Sequence, residues 1–71
     1  MFYFFQRGSH YLRCEVRRAS DSVIDYEIEI IEPGKQPRIE HYPSSDTVHK
    51  RWLQLQTEFQ RAGWWGPTGR D

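Results

Sequence analysis

SDTVHKRWLQLQTEFQRA, running from Ser45 to Ala62, is the stretch that decides how this chain is built. Val48, Trp52, Leu55, Phe59 and Ala62 are spaced alternately by four and by three. That spacing draws one apolar stripe along a helix of 3.6 residues per turn, with Leu53 at its margin. Lys50, Gln54, Thr57, Glu58 and Arg61 form the opposite, solvated face. Pro43 suits the chain just before a helix, and Ser44, Ser45 or Asp46 can cap the first free N–H groups, a contribution of ~1 kcal/mol. Gly63 follows the stripe, where a helix end favours a left-handed residue.

Upstream of the helix the period changes from 3.6 to two. Residues 2–6 form a first strand, and Gly8-Ser9 suits a tight hairpin turn. Residues 10–18 alternate, with Leu12, Cys14 and Val16 on one side and Tyr11, Arg13, Glu15 and Arg17 on the other. Ala19-Ser20-Asp21-Ser22 is turn chemistry. Residues 23–32 alternate again, with Ile24, Tyr26, Ile28 and Ile30 inward and Asp25, Glu27 and Glu29 outward. Glu32-Pro33-Gly34-Lys35-Gln36 is a second turn. Residues 37–42 make a short fourth strand, with Pro37 at its start as an edge tolerates. The expected fold is therefore α+β: a four-stranded antiparallel meander with one C-terminal helix packed on one face, ββββα. It forms a single domain over residues 1–67, with 68–71 as a disordered tail.

Superposing the inner faces sets an expected register. Cys14 pairs with Ile28 and Leu12 with Ile30, which puts Arg17 opposite Asp25, Arg13 opposite Glu29 and Glu15 opposite Glu27. Across the second turn, Ile30 meets Ile39 and Ile28 meets His41, giving His41 a core-facing position. The first strand has no polar side. Phe2 and Phe4 lie on one face, Tyr3 and Phe5 on the other. A single helix covers a single sheet face, so one ring pair needs a second cover. As an expected edge, this strand would also carry unpaired backbone groups.

Composition bounds the function. Seventy-one residues make one domain, with ten basic and ten acidic side chains. Residues 1–43 hold six basic and seven acidic groups, so the sheet is no basic platform. Proteins that bind nucleic acid through its phosphates are usually more basic. Aromatic residues are 15% of the chain and must supply much of the core area. The single cysteine, Cys14, excludes an internal disulfide and points to a reducing, cytoplasmic setting. Phe2-Tyr3-Phe4-Phe5 is too short for a signal-peptide core, and no stretch approaches the ~20 apolar residues of a membrane span.

Four residues are candidate interface positions: Tyr3, Phe5, Trp64 and Trp65. The Trp64-Trp65-Gly66-Pro67 string either offers an aromatic platform or closes the last helical turn by hydrophobic contact. A second candidate set, Tyr11, Arg13, Arg17 and Arg38, mixes rings with guanidinium groups as a single-stranded nucleic-acid surface requires. Asp25, Glu27, Glu29 and Glu40 are expected on that same face, where they would pair with the arginines and repel phosphate. His10, His41 and His49 are too scattered for a metal site, and Cys14 alternates into the core, so neither a cofactor nor a catalytic group is expected.

The string from Tyr11-Leu12-Arg13-Cys14-Glu15-Val16-Arg17, through Tyr26-Glu27-Ile28, to Arg61-Ala62-Gly63-Trp64 resembles short uncharacterised bacterial proteins of similar length. The likeness covers most of the chain and implies no activity. Four antiparallel strands followed by a helix is also similar in order to the Whirly and positive-cofactor single-stranded-DNA-binding folds. That resemblance implies a dimer or larger assembly that binds strands on a sheet surface, although this chain lacks an evident basic face. The expected function is a small non-catalytic interaction module that self-associates as a homodimer, with single-stranded nucleic-acid binding as the alternative and no membrane partner.

Overall fold

The computed structural model describes residues 1–19 and 25–70. Its strands are β1 (Phe2–Arg7), β2 (His10–Arg18), β3 (Tyr26–Ile31) and β4 (Arg38–Tyr42), followed by the helix α1 (Ser45–Arg61) and a further strand, β5 (Trp65–Arg70). All five strands form one antiparallel sheet in the order β4-β3-β2-β1-β5. The α+β class and the single packed helix are as the sequence predicts, but the meander has a fifth strand. Thr68, Gly69 and Arg70, expected in a disordered tail, instead pair with Phe4, Tyr3 and Phe2. β1 is consequently not an edge.

Local chemistry fixes both ends of α1. The Ser44 side chain accepts from the Thr47 N–H at 3.2 Å, and the Thr47 hydroxyl accepts from the Ser44 N–H at 3.3 Å, a reciprocal capping box. At the other end the Gly63 N–H donates to Gln60 at 3.1 Å and the Trp64 N–H to Phe59 at 2.9 Å. Gly63 has φ +92°, so these two bonds close a Schellman motif in which Trp64 packs back beside Phe59. Arg7 completes the end: its Nη1 donates to the Ala62 carbonyl at 2.7 Å, and its guanidinium lies 4.3 Å over the Trp64 ring. The turn redirects the chain to run alongside β1.

The core lies between α1 and one sheet face. Val48, Trp52, Leu55 and Phe59 from the helix meet Phe5, Leu12, Cys14, Ile28 and Ile30 from the sheet, with Trp64 at the end. Phe5 pairs with Leu12 and Tyr3 with Cys14, and directly opposed residues in an antiparallel pair share a face. Leu12 and Cys14 face the helix, so Tyr3 and Phe5 do too. The Tyr3 ring lies 4.5 Å from that of Trp52, and Phe5 sits edge-on to Phe59 at 5.2 Å. Burial pushes the Cys14 thiol up to about 12, so it remains protonated at neutral pH and packs as a small apolar side chain.

Two registers differ from expectation. β2 and β3 slide by two residues, pairing Cys14 with Ile30 and Val16 with Ile28. A slip of two preserves the faces, but it sets Arg17 opposite Glu27 and Glu15 opposite Glu29, with Arg13 opposite Ile31. Arg17 then reaches all three carboxylates, which favours this register over the expected one. The expected turn through Ser20, Asp21 and Ser22, and the inward position of Ile24, lie outside the described residues.

β4 shifts by one residue against β3. Glu29 meets Ile39, Ile30 meets Arg38 and Glu27 meets His41. A one-residue shift turns the strand over, so Ile39 and His41 face away from the helix while Glu40 and Tyr42 face it. The polar side is accepted there because the helix supplies a partner. Arg51 donates to both oxygens of Glu40, at 2.8 and 3.1 Å, and the Tyr42 hydroxyl donates to Glu40 at 2.8 Å. The intervening turn is type II, with Pro33 at its second position, Gly34 at φ +78° and a Lys35 N–H to Glu32 carbonyl bond of 3.1 Å.

This linkage has a pH signature. The Arg51 hydrogen bonds hold the Glu40 carboxyl below its ordinary value, outweighing the upward push of partial burial, and the Tyr42 hydroxyl adds to the lowering. A lowered folded-state value stabilises above the ordinary carboxylate range and is lost as pH falls through the lowered value. Arg51→Met therefore lowers stability at neutral pH by about 1 kcal/mol. The difference from the parent shrinks as pH falls through the lowered Glu40 value and vanishes once Glu40 is protonated in both. Urea melts at neutral pH and along a series of acid pH values measure this.

Candidate interaction face

The helix covers one side of the sheet, and no element among the described residues covers the other. Register alone places the residues of this outer face. One row across the strands is Phe2 on β1, Glu15 on β2, Glu29 on β3 and Ile39 on β4. The next row is Thr68 on β5, Phe4, Arg13 and Ile31. Beyond it, Trp65 pairs with Gln6, and Gln6 with Tyr11. At the opposite end Arg17, Glu27 and His41 form the last row.

The face therefore has two characters. Its β5–β1 side and lower rows are rich in rings: Phe2 and Phe4 are half-buried, while Tyr11 is 61% and Trp65 70% exposed. Ile31 and the exposed Ile39 add aliphatic area on the neighbouring strands. Arg13 is exposed among them, its guanidinium 5.9 Å from the centre of the Phe2 ring.

The other character is acidic. Arg17 Nε donates to Glu27 at 2.7 Å, and Nη1 donates to Glu15 at 2.6 Å and to Glu29 at 3.0 Å. The hydrogen bonds to Glu27 and Glu29 raise the Arg17 pKa above its ordinary value, against the smaller effect of desolvation, so it is cationic at every accessible pH. Three carboxylates against one guanidinium leave this corner negative. His41 Nδ1 stands 3.7 Å from Glu27.

The sequence-level candidates divide sharply. Tyr3 and Phe5 belong to the helix-facing core, with Phe5 1% exposed. Trp64 is buried at 4%, against the helix end. Trp65 alone of those four stands on the open face. Phe2 and Phe4 occupy the place that Tyr3 and Phe5 were expected to fill. Of the basic set, Tyr11, Arg13 and Arg17 share the outer face, but Arg38 pairs with Ile30 and falls on the helix side, 3.6 Å from Glu40. The sequence signal for Phe2 and Phe4 was the doubly aromatic strand. What it lacked was the register against Leu12 and Cys14.

Elsewhere the surface is shallow. A depression of about 480 Å³ lies between α1 and β4, lined by Glu40, Tyr42, Thr47, Lys50, Arg51 and Gln54. Its carboxylate already accepts from Arg51 and Tyr42. No cluster of three potential metal ligands occurs among the described residues. No helix among them is long and apolar enough to cross a membrane.

No family model, curated protein or solved structure matches this chain. What the chain does is therefore to be sought on its own surface, and the uncovered sheet face is its most distinctive part.

Proposed function

We propose that this protein is a small, non-catalytic interaction module that self-associates as a homodimer through the outer face of its sheet. One observation carries this reading: Phe2, Phe4, Tyr11 and Trp65 stand on a face that no element among the described residues covers. Contiguous apolar area of this kind marks a contact surface, and burying large side chains is worth ~1.5–3 kcal/mol each. The sheet edges are poorer contact sites. Pro67 removes a donor from the β5 edge, and Pro37 and Pro43 limit the β4 edge to five residues, so neither edge offers a long unbroken run for strand addition. Face packing is favoured over sheet extension. The lone buried cysteine suits a reducing compartment such as the cytoplasm.

The alternative is single-stranded nucleic-acid binding on the same face, where Tyr11 and Arg13 offer a ring and a cation that makes no ion pair among the described residues. Arg17 is already held by three carboxylates and Arg38 lies on the other side, so the net field there disfavours phosphate. Sedimentation equilibrium at micromolar concentration tests the proposal: the expected mass is twice 8.6 kDa, and a single-chain mass of 8.6 kDa overturns it. Oligonucleotide binding with a steep salt slope would favour the alternative.

A further inference from the structure

The outer face is complementary to itself in one particular alignment. Two adjacent rows on β1, β2 and β3 read Phe2-Glu15-Glu29 and Phe4-Arg13-Ile31. Along each strand these rows are two residues, ~7 Å, apart. Consider a twofold axis lying in the contact plane, across the strands, midway between the rows. It lays Phe4 of one copy on Phe2 of the other, Arg13 on Glu15 and Ile31 on Glu29. It also brings Tyr11 toward Arg17, because these are the next positions outward on β2.

We infer that two copies pack face to face about this axis, with Arg13 of each copy paired to the Glu15–Glu27–Glu29 cluster of the other. The inference rests on the self-association proposed above and specifies its geometry. Arg13 is exposed, and no carboxylate lies within ion-pair distance of it among the described residues. On the same strand, two residues away, Glu15 belongs to a cluster carrying more negative than positive charge. An unpaired cation beside an excess of anions is the arrangement a twofold contact uses, since each copy supplies what the other lacks. An axis along the strands through β2 would instead lay Phe2 on Glu29 and each Arg13 on the Arg13 of the other copy, opposing like charges. The favoured assembly is two sheets sandwiched ~10 Å apart with a helix on each outside face.

The test compares the parent chain with Arg13→Glu and with the exchanged variant Arg13→Glu/Glu15→Arg, using sedimentation equilibrium with thermal melts as the folding control. Arg13→Glu sets two like-charge contacts in each dimer and is expected to weaken dimerisation roughly 100-fold or more, while the exchange restores both contacts and returns most of the affinity. A monomeric parent overturns the reading under "Proposed function" and this alignment with it. A dimer unchanged by Arg13→Glu overturns the alignment alone, as does a folded exchange variant as weak as Arg13→Glu. Because Glu15 also touches Arg17, a second measurement uses single substitutions only. With a bifunctional thiol reagent that spans ~10 Å, an equimolar mixture of Arg13→Cys and Glu15→Cys is expected to give far more cross-linked pair than either alone. Equal trapping from each alone overturns the alignment.

Discussion

Replacing Trp52 by alanine is expected to cost ~3–5 kcal/mol, the range for deleting a large aromatic side chain from a core. The ring is 6% exposed and touches two strand rings, Tyr3 at 4.5 Å and Phe5 at 6.1 Å between centroids. Together with Phe59 it holds α1 against β1. A domain of this size has a total stability near the low end of the usual ~5–15 kcal/mol. The loss is therefore enough to populate the unfolded state at room temperature. Thermal melting followed by circular dichroism measures it. Leu53→Ala serves as the control: Leu53 is 49% exposed at the margin of the stripe, and its removal should change stability by no more than about 0.5 kcal/mol. A Trp52→Ala chain that melts like the parent would mean that the helix does not pack through this face.

Gly66→Ala is the second large effect, and it acts on the strand that sequence patterning missed. Gly66 has φ +143°, a conformation that side-chain-bearing residues rarely adopt. A Cβ built there would stand 2.7 Å from the Phe4 carbonyl oxygen and 3.1 Å from the Phe5 ring. Backbone strain of this kind costs ~1–3 kcal/mol, and the clash with a main-chain oxygen adds to it because that oxygen belongs to the central pairing of β1. The expected result is detachment of β5 from β1, read as faster amide exchange through Thr68 and Gly69 together with a lower melting temperature. Slow exchange at those amides with an unchanged melt would contradict the account of β5.

These two sites show what sequence makes legible. The helix is local physics: its stripe, the capping Ser44 and the left-handed Gly63 all fall within a few residues of the elements they define. Strands β2 and β3 are equally plain, because each has one apolar and one polar side. β5 is different. Its sequence, WGPTGR, has no alternation and half of it is glycine or proline, so only pairing with β1 makes it a strand. β1 posed the opposite difficulty, since both sides are aromatic and the pattern favours neither. The register against Leu12 and Cys14 decides that Tyr3 and Phe5 go inward.

β4 hid its orientation for a third reason. Local hydrophobicity favours Ile39 inward, yet Glu40 takes the inward side because Arg51 approaches from the helix. A buried-side carboxylate is acceptable only with such a partner, and the partner lies 11 positions further along the chain. The candidate site followed the fold. An uncovered aromatic face was legible from β1, while the identity of its rings depended on a register that no local pattern contains.

The central claim is that Phe2 and Phe4 lie on a face used for association, while Tyr3 and Phe5 lie in the core. Sedimentation velocity on Phe4→Ser at micromolar concentration, with its melt recorded on the same sample, tests it most directly. The account predicts a folded chain sedimenting as a single copy of 8.6 kDa beside a dimeric parent. A Phe4→Ser chain that remains as dimeric as the parent, or that unfolds as a core substitution would, contradicts it.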